Sequence, residues 1–348
     1  VYSCSIIGAS GYAGAELVRL LRGHPEVGEL VLASTSKSGE DLTSIYPNLL
    51  GAGGRKALPV LVEAEEACGA DVVFSAGPAG FAELWAAKTR AAGGLFIDLS
   101  ADFRFGSDEA VYKAWYGGSW ARPDLHAESV YGLPELNRER ITRARIIGNP
   151  GCYPTASTLA LYPALALGIA TGEGIVIDAK SGVTGAGREP SRSSHYAEAA
   201  DSVTPYKVGA HRHIPEIDAV LSAMAGRAVA SVFTPHLAPM GRGIVATTYF
   251  PLAQPITAAE LREAYAGFYA REPFVRVLPE GLAATNRNVR FSNYCDISLH
   301  LAHGGRMGIA VGAIDNMVKG AAGQAVQNMN LALGLDEGEG ISMLPPAF

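Results

Sequence analysis

The stretch from Val1 to Pro25 constrains the fold of this chain more than any other. It reads as a short apolar strand, a turn with glycines at 8, 11 and 14, and a helix with Leu17, Leu20 and Leu21 on one face. Gly23 and Pro25 end that helix. A strand that enters a helix through glycines belongs to a βαβ layer, in which crossover helices join parallel strands. The pattern then repeats. "ELVLAS", "ADVVFSAG" and "GLFIDLS" are further strands, and "FAELWAAKTRAAG" is an amphipathic helix between the last two. The residues before Ile146 therefore predict an α/β domain with a parallel sheet.

Glycines spaced as GxxGxxG in this setting permit a tight turn and close approach of a pyrophosphate to the free N–H groups of the helix start. The expectation is a Rossmann-type dinucleotide-binding domain. An NAD-selective fold carries Asp or Glu at the end of the second strand, to hold a ribose 2′-hydroxyl. Here that place reads Ser34, Thr35, Ser36, Lys37. Hydroxyls and a cation suit a 2′-phosphate, so the expected cofactor is NADP.

From Ile146 the pattern changes. "RIIGNPGCYPTASTLALYPALALG" is a strand, a sharp turn and a helix. Long alternating runs follow: "GIVIDAKSG", "AVASVFTPHLAP", "GIVATTYFPLA", "CDISLHLA" and "RMGIAVGAID". They predict an α+β domain with a mixed or antiparallel sheet. "NMVKGAAGQAVQNMNLALG" is a late helix, with Met317, Ala321, Val326 and Met329 near helical spacing, and the tail after Gly334 reads as irregular.

Bulk properties exclude several classes. The net charge is -6 with no long Lys/Arg run, so there is no electrostatic case for nucleic acid. No stretch reaches the roughly 18 apolar residues of a spanning helix, and Val1–Gly8 is too short for a signal peptide. Cysteines at 4, 68, 152 and 295 form no CxxC pair, zinc pattern or disulfide framework. Free thiols fit a reducing cytoplasm, and nothing calls for a metal.

The strongest local signal is Asn149-Pro150-Gly151-Cys152-Tyr153-Pro154-Thr155. Two prolines and a glycine fix a bend, and Pro154 suits a first helical turn. Cys152 then sits at a helix N-terminus, where the dipole favours a nucleophilic thiolate. Cys4 and Cys295 lie in apolar strands and Cys68 near a helix end. A nucleophilic cysteine needs a proton partner. His211 and His213 stand two apart in a polar insert, and in extended backbone both would face one way. His195 and His236 are weaker candidates; His24, His126, His300 and His303 look incidental. "KSGVTGAGR", ending at Arg188, is a glycine-rich turn able to bring N–H groups near an anion. Arg104 follows a strand C-terminus, where open α/β sheets bind ligands.

These stretches, with "DLSADFR", "VYGLPELN", "HRHIPEI" and "PHLAPMGRGI", are similar to those of the N-acetyl-gamma-glutamyl-phosphate reductases, and the resemblance spans nearly the whole chain. It implies an NADP-binding domain over 1–148, completed by a C-terminal helix at about 316–348, and a catalytic and oligomerisation domain over 149–315. It implies reduction of N-acetyl-L-glutamyl 5-phosphate to the 5-semialdehyde, through a thioester on Cys152, in arginine biosynthesis. Cys152 matches the nucleophile and His211 the acid/base, with His213 a possible acid/base or substrate contact. Gly8, Ser10, Gly11, Tyr12, Ala13 and Gly14 match the pyrophosphate turn. Ser34, Thr35, Ser36 and Lys37 lie at the adenosine end, and Asn316 matches a residue near the nicotinamide. Arg104, Asn149 and Arg188 are candidates for substrate anions. A homodimer or homotetramer is expected. Two alternatives stay open: a reductase of carrier-protein-linked aminoadipyl or glutamyl phosphate, and a non-catalytic NADPH sensor.

Overall fold

The computed structural model describes residues 1–51 and 58–347, and contacts within it separate two compact units. The first comprises Val1–Gly151 and Ala321–Met343; the second comprises Cys152–Gly320 and a terminal stretch from Leu344. Residues 316–320 and the last few residues thus group with the second unit, although the terminal segment was expected to complete the first. The helical part of that segment is also shorter than expected. A π-helical turn at Val318–Ala322 leads into an α-helix that ends at Ala332. Residue 348 lies outside the described residues.

In the first unit six strands form one sheet: β1 (Tyr2–Ile7), β2 (Val27–Ala33), β3 (Val72–Ser75), β4 (Leu95–Asp98), β5 (Val130–Tyr131) and β6 (Ile146–Gly148). Their order is β2-β1-β3-β4-β6-β5, and every pairing is parallel. β3 and β4 are buried along their whole length, as expected of a sheet covered on both faces. The helix Tyr12–Arg22 buries Leu17, Leu20 and Leu21 against it. The Gly323–Ala332 helix is enclosed in this unit through polar as well as apolar residues. Asn328 Nδ2 donates to Gly132 O at 2.8 Å and to Asn149 Oδ1 at 3.1 Å.

The second unit holds seven strands: β7 (Ile175–Ser181), β8 (Thr204–Pro205), β9 (Ser231–Leu237), β10 (Ile244–Pro251), β11 (Val275–Val277), β12 (Cys295–Ala302) and β13 (Met307–Ile314). The order is β11-β12-β13-β10-β7-β9-β8, with β7–β9 and β11–β12 parallel and the rest antiparallel. The helix Cys152–Ala166 lies on one face, so close that a Cβ on Gly312 of β13 would stand 2.4 Å from Ala156 O. Pro163 interrupts its hydrogen bonds, because proline has no N–H for the carbonyl of residue 159. The Tyr269 hydroxyl takes over and donates to Leu159 O at 2.6 Å. On the other face Val176, Val232 and Tyr249 are exposed. Among the described residues no helix is long and apolar enough to cross a membrane.

Candidate active site

Cys152 is the first residue of its helix, with no acidic residue in the first turn, so its sulfur faces the positive end of the dipole. It is partly exposed, whereas Cys4, Cys68 and Cys295 are buried. Gly320 lets the chain pass beside it: a Cβ there would come within 2.8 Å of Cys152 Cβ. Cys152 opens into a cavity of about 780 Å³, which His211, His213, Tyr153, Tyr206 and Ser181 also line.

His211 and His213 do not lie in extended backbone. Pro215 in the first turn of the helix Ile214–Ala225 forces that helix to begin there, and His213 caps it in an αR conformation. The two rings still meet, with centroids 4.8 Å apart, because the turn folds one over the other. The His213 N–H donates to His211 Nδ1 at 3.1 Å. Edges and faces of Tyr153, Tyr206 and Phe233 close around His211 at 5.7, 5.5 and 5.5 Å. Burial among these rings, with the charges of Lys207 and Arg212 added, pushes the imidazole down to about 4. It is neutral at physiological pH. Tyr206 donates its hydroxyl to Tyr153 Oη at 3.2 Å, and burial pushes its phenol up to about 12.

Sequence reasoning missed Tyr206, Lys207, Arg192, Arg212 and Glu198, which all line this cavity. Their only signal was the density of charge between Arg188 and His213. His236 stands aside, with Nδ1 3.1 Å from Asp178 Oδ1. His195 does not line the cavity, and Arg188 is exposed in the loop after β7.

Asn316 is buried, and its amide is engaged at both ends: Oδ1 accepts from Gly243 N–H at 2.7 Å, and Nδ2 donates to Thr184 Oγ1 at 3.0 Å. That leaves a second N–H and a lone pair for a ligand. In the first unit, Asn149 is almost fully buried and its amide is spent on Ala321 O and Asn328. Arg104 donates to Asn149 O at 2.8 Å and Leu99 O at 2.9 Å. Both residues brace the backbone of the first unit just before Cys152.

The glycine turn of the first unit has the shape a dinucleotide requires. Gly8 has a φ of 89°, and a Cβ on Gly14 would stand 2.2 Å from Gly8 O. Gly11 caps the helix with no side-chain hydrogen bond, and the first turn has no acid. Its leading N–H groups, on Tyr12 and Ala13, therefore point away from any intrahelical acceptor. Ser10 Oγ lies 3.2 Å from Ser34 Oγ. Ser34 is buried, whereas Thr35 and Ser36 are exposed and Lys37 is half-exposed, with Nζ 3.2 Å from Glu40. These residues fit a phosphorylated dinucleotide: a bare helix start for the pyrophosphate, then hydroxyls and an ammonium at the adenosine end.

Two family models match the chain in succession: the NAD-binding domain of semialdehyde dehydrogenases over residues 3–144, and the semialdehyde dehydrogenase dimerisation domain over residues 152–316. Aspartate semialdehyde dehydrogenase II of Vibrio cholerae superposes with a TM-score of 0.74 at 16% identity, covering 96% of this chain and 98% of that one. Fold and cavity thus define an enzyme of the semialdehyde dehydrogenase class. N-acetyl-gamma-glutamyl-phosphate reductase of Symbiobacterium thermophilum is 49% identical over 347 residues, and that of Clostridium botulinum 46% identical over 343. Each alignment covers 99% of this chain and 98% of the relative. The chain belongs to the N-acetyl-gamma-glutamyl-phosphate reductase family.

Proposed function

We propose that this protein reduces N-acetyl-L-glutamyl 5-phosphate to N-acetyl-L-glutamate 5-semialdehyde and phosphate, with NADPH, as a step of arginine biosynthesis. The observation that carries this reading is Cys152 at a helix start in one cavity with a neutral His211, in a chain of this family.

The Cys152 sulfur attacks the acyl carbon; the S–C bond forms, the C–O bond to phosphorus breaks, and the thiol proton leaves with the phosphate. When bound, NADPH would supply the hydride that reduces the resulting thioester to a thiohemiacetal oxyanion. Because Nδ1 of His211 accepts a main-chain N–H, its neutral ring carries the proton on Nε2 and acts as a donor. His211 holds that N–H against the developing oxyanion as a hydrogen-bond donor; when the S–C bond breaks and the aldehyde forms, the sulfur leaves as a thiolate and takes its proton from water. The dipole of the Cys152 helix contributes ~0.3–1 kcal/mol to the charged states of the sulfur.

The first unit holds the dinucleotide, with Ser10 to Gly14 on the pyrophosphate and Thr35, Ser36 and Lys37 on the 2′-phosphate. Asn316 offers its remaining N–H near the nicotinamide, and Arg188 is an anion contact. The exposed Val176, Val232 and Tyr249 on the outer sheet face support a homo-oligomer paired through the second unit. Four free cysteines support a cytoplasmic setting.

The test is phosphate-dependent oxidation of a panel of semialdehydes with NADP. N-acetylglutamate semialdehyde should have the highest kcat/KM. A higher value for a carrier-linked aminoadipate semialdehyde would replace this substrate.

A further inference from the structure

Lys207 lines the cavity of Cys152 and His211, and its backbone has a φ of 44°, in the left-handed region that side-chain-bearing residues rarely adopt. Neighbours impose this conformation. Tyr206 N–H donates to Pro235 O at 3.1 Å, and Ala210 N–H to Lys207 O at 2.9 Å. Backbone strain that the surroundings over-determine is concentrated at functional sites. The Lys207 ammonium makes no hydrogen bond or ion pair among the described residues. Arg192, by contrast, has Nε 3.8 Å from Glu198 at the same cavity. Cys152 and Tyr153 face His211 from the nucleophile's helix, Tyr206 and Lys207 from the preceding segment, and Arg212 and His213 from its own turn. Of these, Lys207 and Arg212 are the fixed cations, and both bear on the imidazole.

We propose that Lys207 anchors the carboxylate of the acyl substrate, and that the substrate, by pairing with it, withdraws a positive charge from His211. This rests on the reductase reading above and specifies where the anionic end of an N-acyl amino-acid chain is held. The Lys207 side chain is exposed at the cavity and no carboxylate among the described residues holds it, so it is open to the carboxylate of a ligand. The bound carboxylate then offsets the ammonium's field. The charge that opposes protonation of His211 then falls only when the cavity is filled, so the ring titrates at higher pH with substrate bound.

The test compares Lys207→Gln, Lys207→Arg and Lys207→Gly in oxidation of N-acetylglutamate semialdehyde with NADP and phosphate. The Gln variant should raise the KM for the semialdehyde about tenfold, with the KM for phosphate unchanged, and the Arg variant should raise it much less. The Gly variant relieves the backbone and should show the same rise, which separates charge from folding. In an NMR titration with N-acetylglutamate as probe, His211 of the parent protein should titrate at higher pH when the probe is bound. In the Gln variant the probe should cause no such change. An unchanged semialdehyde KM in the Gln and Gly variants, or a rise confined to phosphate, overturns the proposal. If the parent protein oxidises no semialdehyde, the reductase reading fails. The titration then decides on Lys207 alone, and a response independent of Lys207 overturns its role.

Discussion

The main-chain N–H of His213 donates to Nδ1 of His211 at 3.1 Å. One residue thereby fixes the tautomer of the other, and does so with its backbone. His211→Asn should lower kcat by ~10²–10⁴, whereas His213→Asn keeps the main-chain donor and should cost less than about tenfold. Steady-state kcat at saturating substrates measures both. A larger loss in the His213 variant would reverse the assignment of the imidazoles.

Of the four cysteines only Cys152 is partly exposed. Iodoacetamide should modify a single thiol rapidly in the folded protein, and peptide mapping should find it at Cys152. Cys152→Ala should abolish turnover while NADPH fluorescence still reports binding. Measurable turnover in that variant would exclude the covalent route.

Gly320 is the only residue type that fits against the nucleophile, since a Cβ there would meet Cys152 Cβ at 2.8 Å and Ile314 Cδ1 at 3.2 Å. Gly320→Ala should displace the sulfur and reduce kcat by ~10- to 100-fold. NADPH affinity, read from fluorescence, should change little. An unaltered kcat would mean that the helix start accommodates the methyl group by moving elsewhere.

Burial holds the His211 imidazole at about 4 in the folded state, against ~6.5 in an unfolded chain. Between these values the unfolded chain binds the extra proton, so stability rises with pH across this window. The contribution is present above ~6.5 and is lost as pH falls towards 4. Denaturant midpoints measured from pH 7 down to pH 4 should therefore fall less steeply in His211→Asn than in the parent. Parallel curves would show that another group controls the acid limb.

The glycine turn was legible because its φ of 89° at Gly8 and the absence of space at Gly14 are local demands, and local demands leave their mark on adjacent residues. The same holds for Cys152, which its prolines place at a helix start. Long-range packing leaves no such mark. His126 looked incidental in sequence, yet it is fully buried, stacked on Trp120 at 3.8 Å and Phe103 at 4.5 Å, with Nε2 2.7 Å from Glu83. Three separate segments make that environment. Arg104 and Asn149 had the right chemistry for an anion, but their bonds to Leu99 O, Ala321 O and Asn328 come from packing that the sequence does not show. Lys207 and Tyr206 carried no local motif and enter the cavity only through the fold.

The Gly323–Ala332 helix belongs to the first unit, among segments far from it in sequence. Asn328 donates to Gly132 O and to Asn149 Oδ1. One side chain therefore ties down two segments that lie 196 and 179 residues earlier in the chain, so Asn328→Ala would loosen both at once.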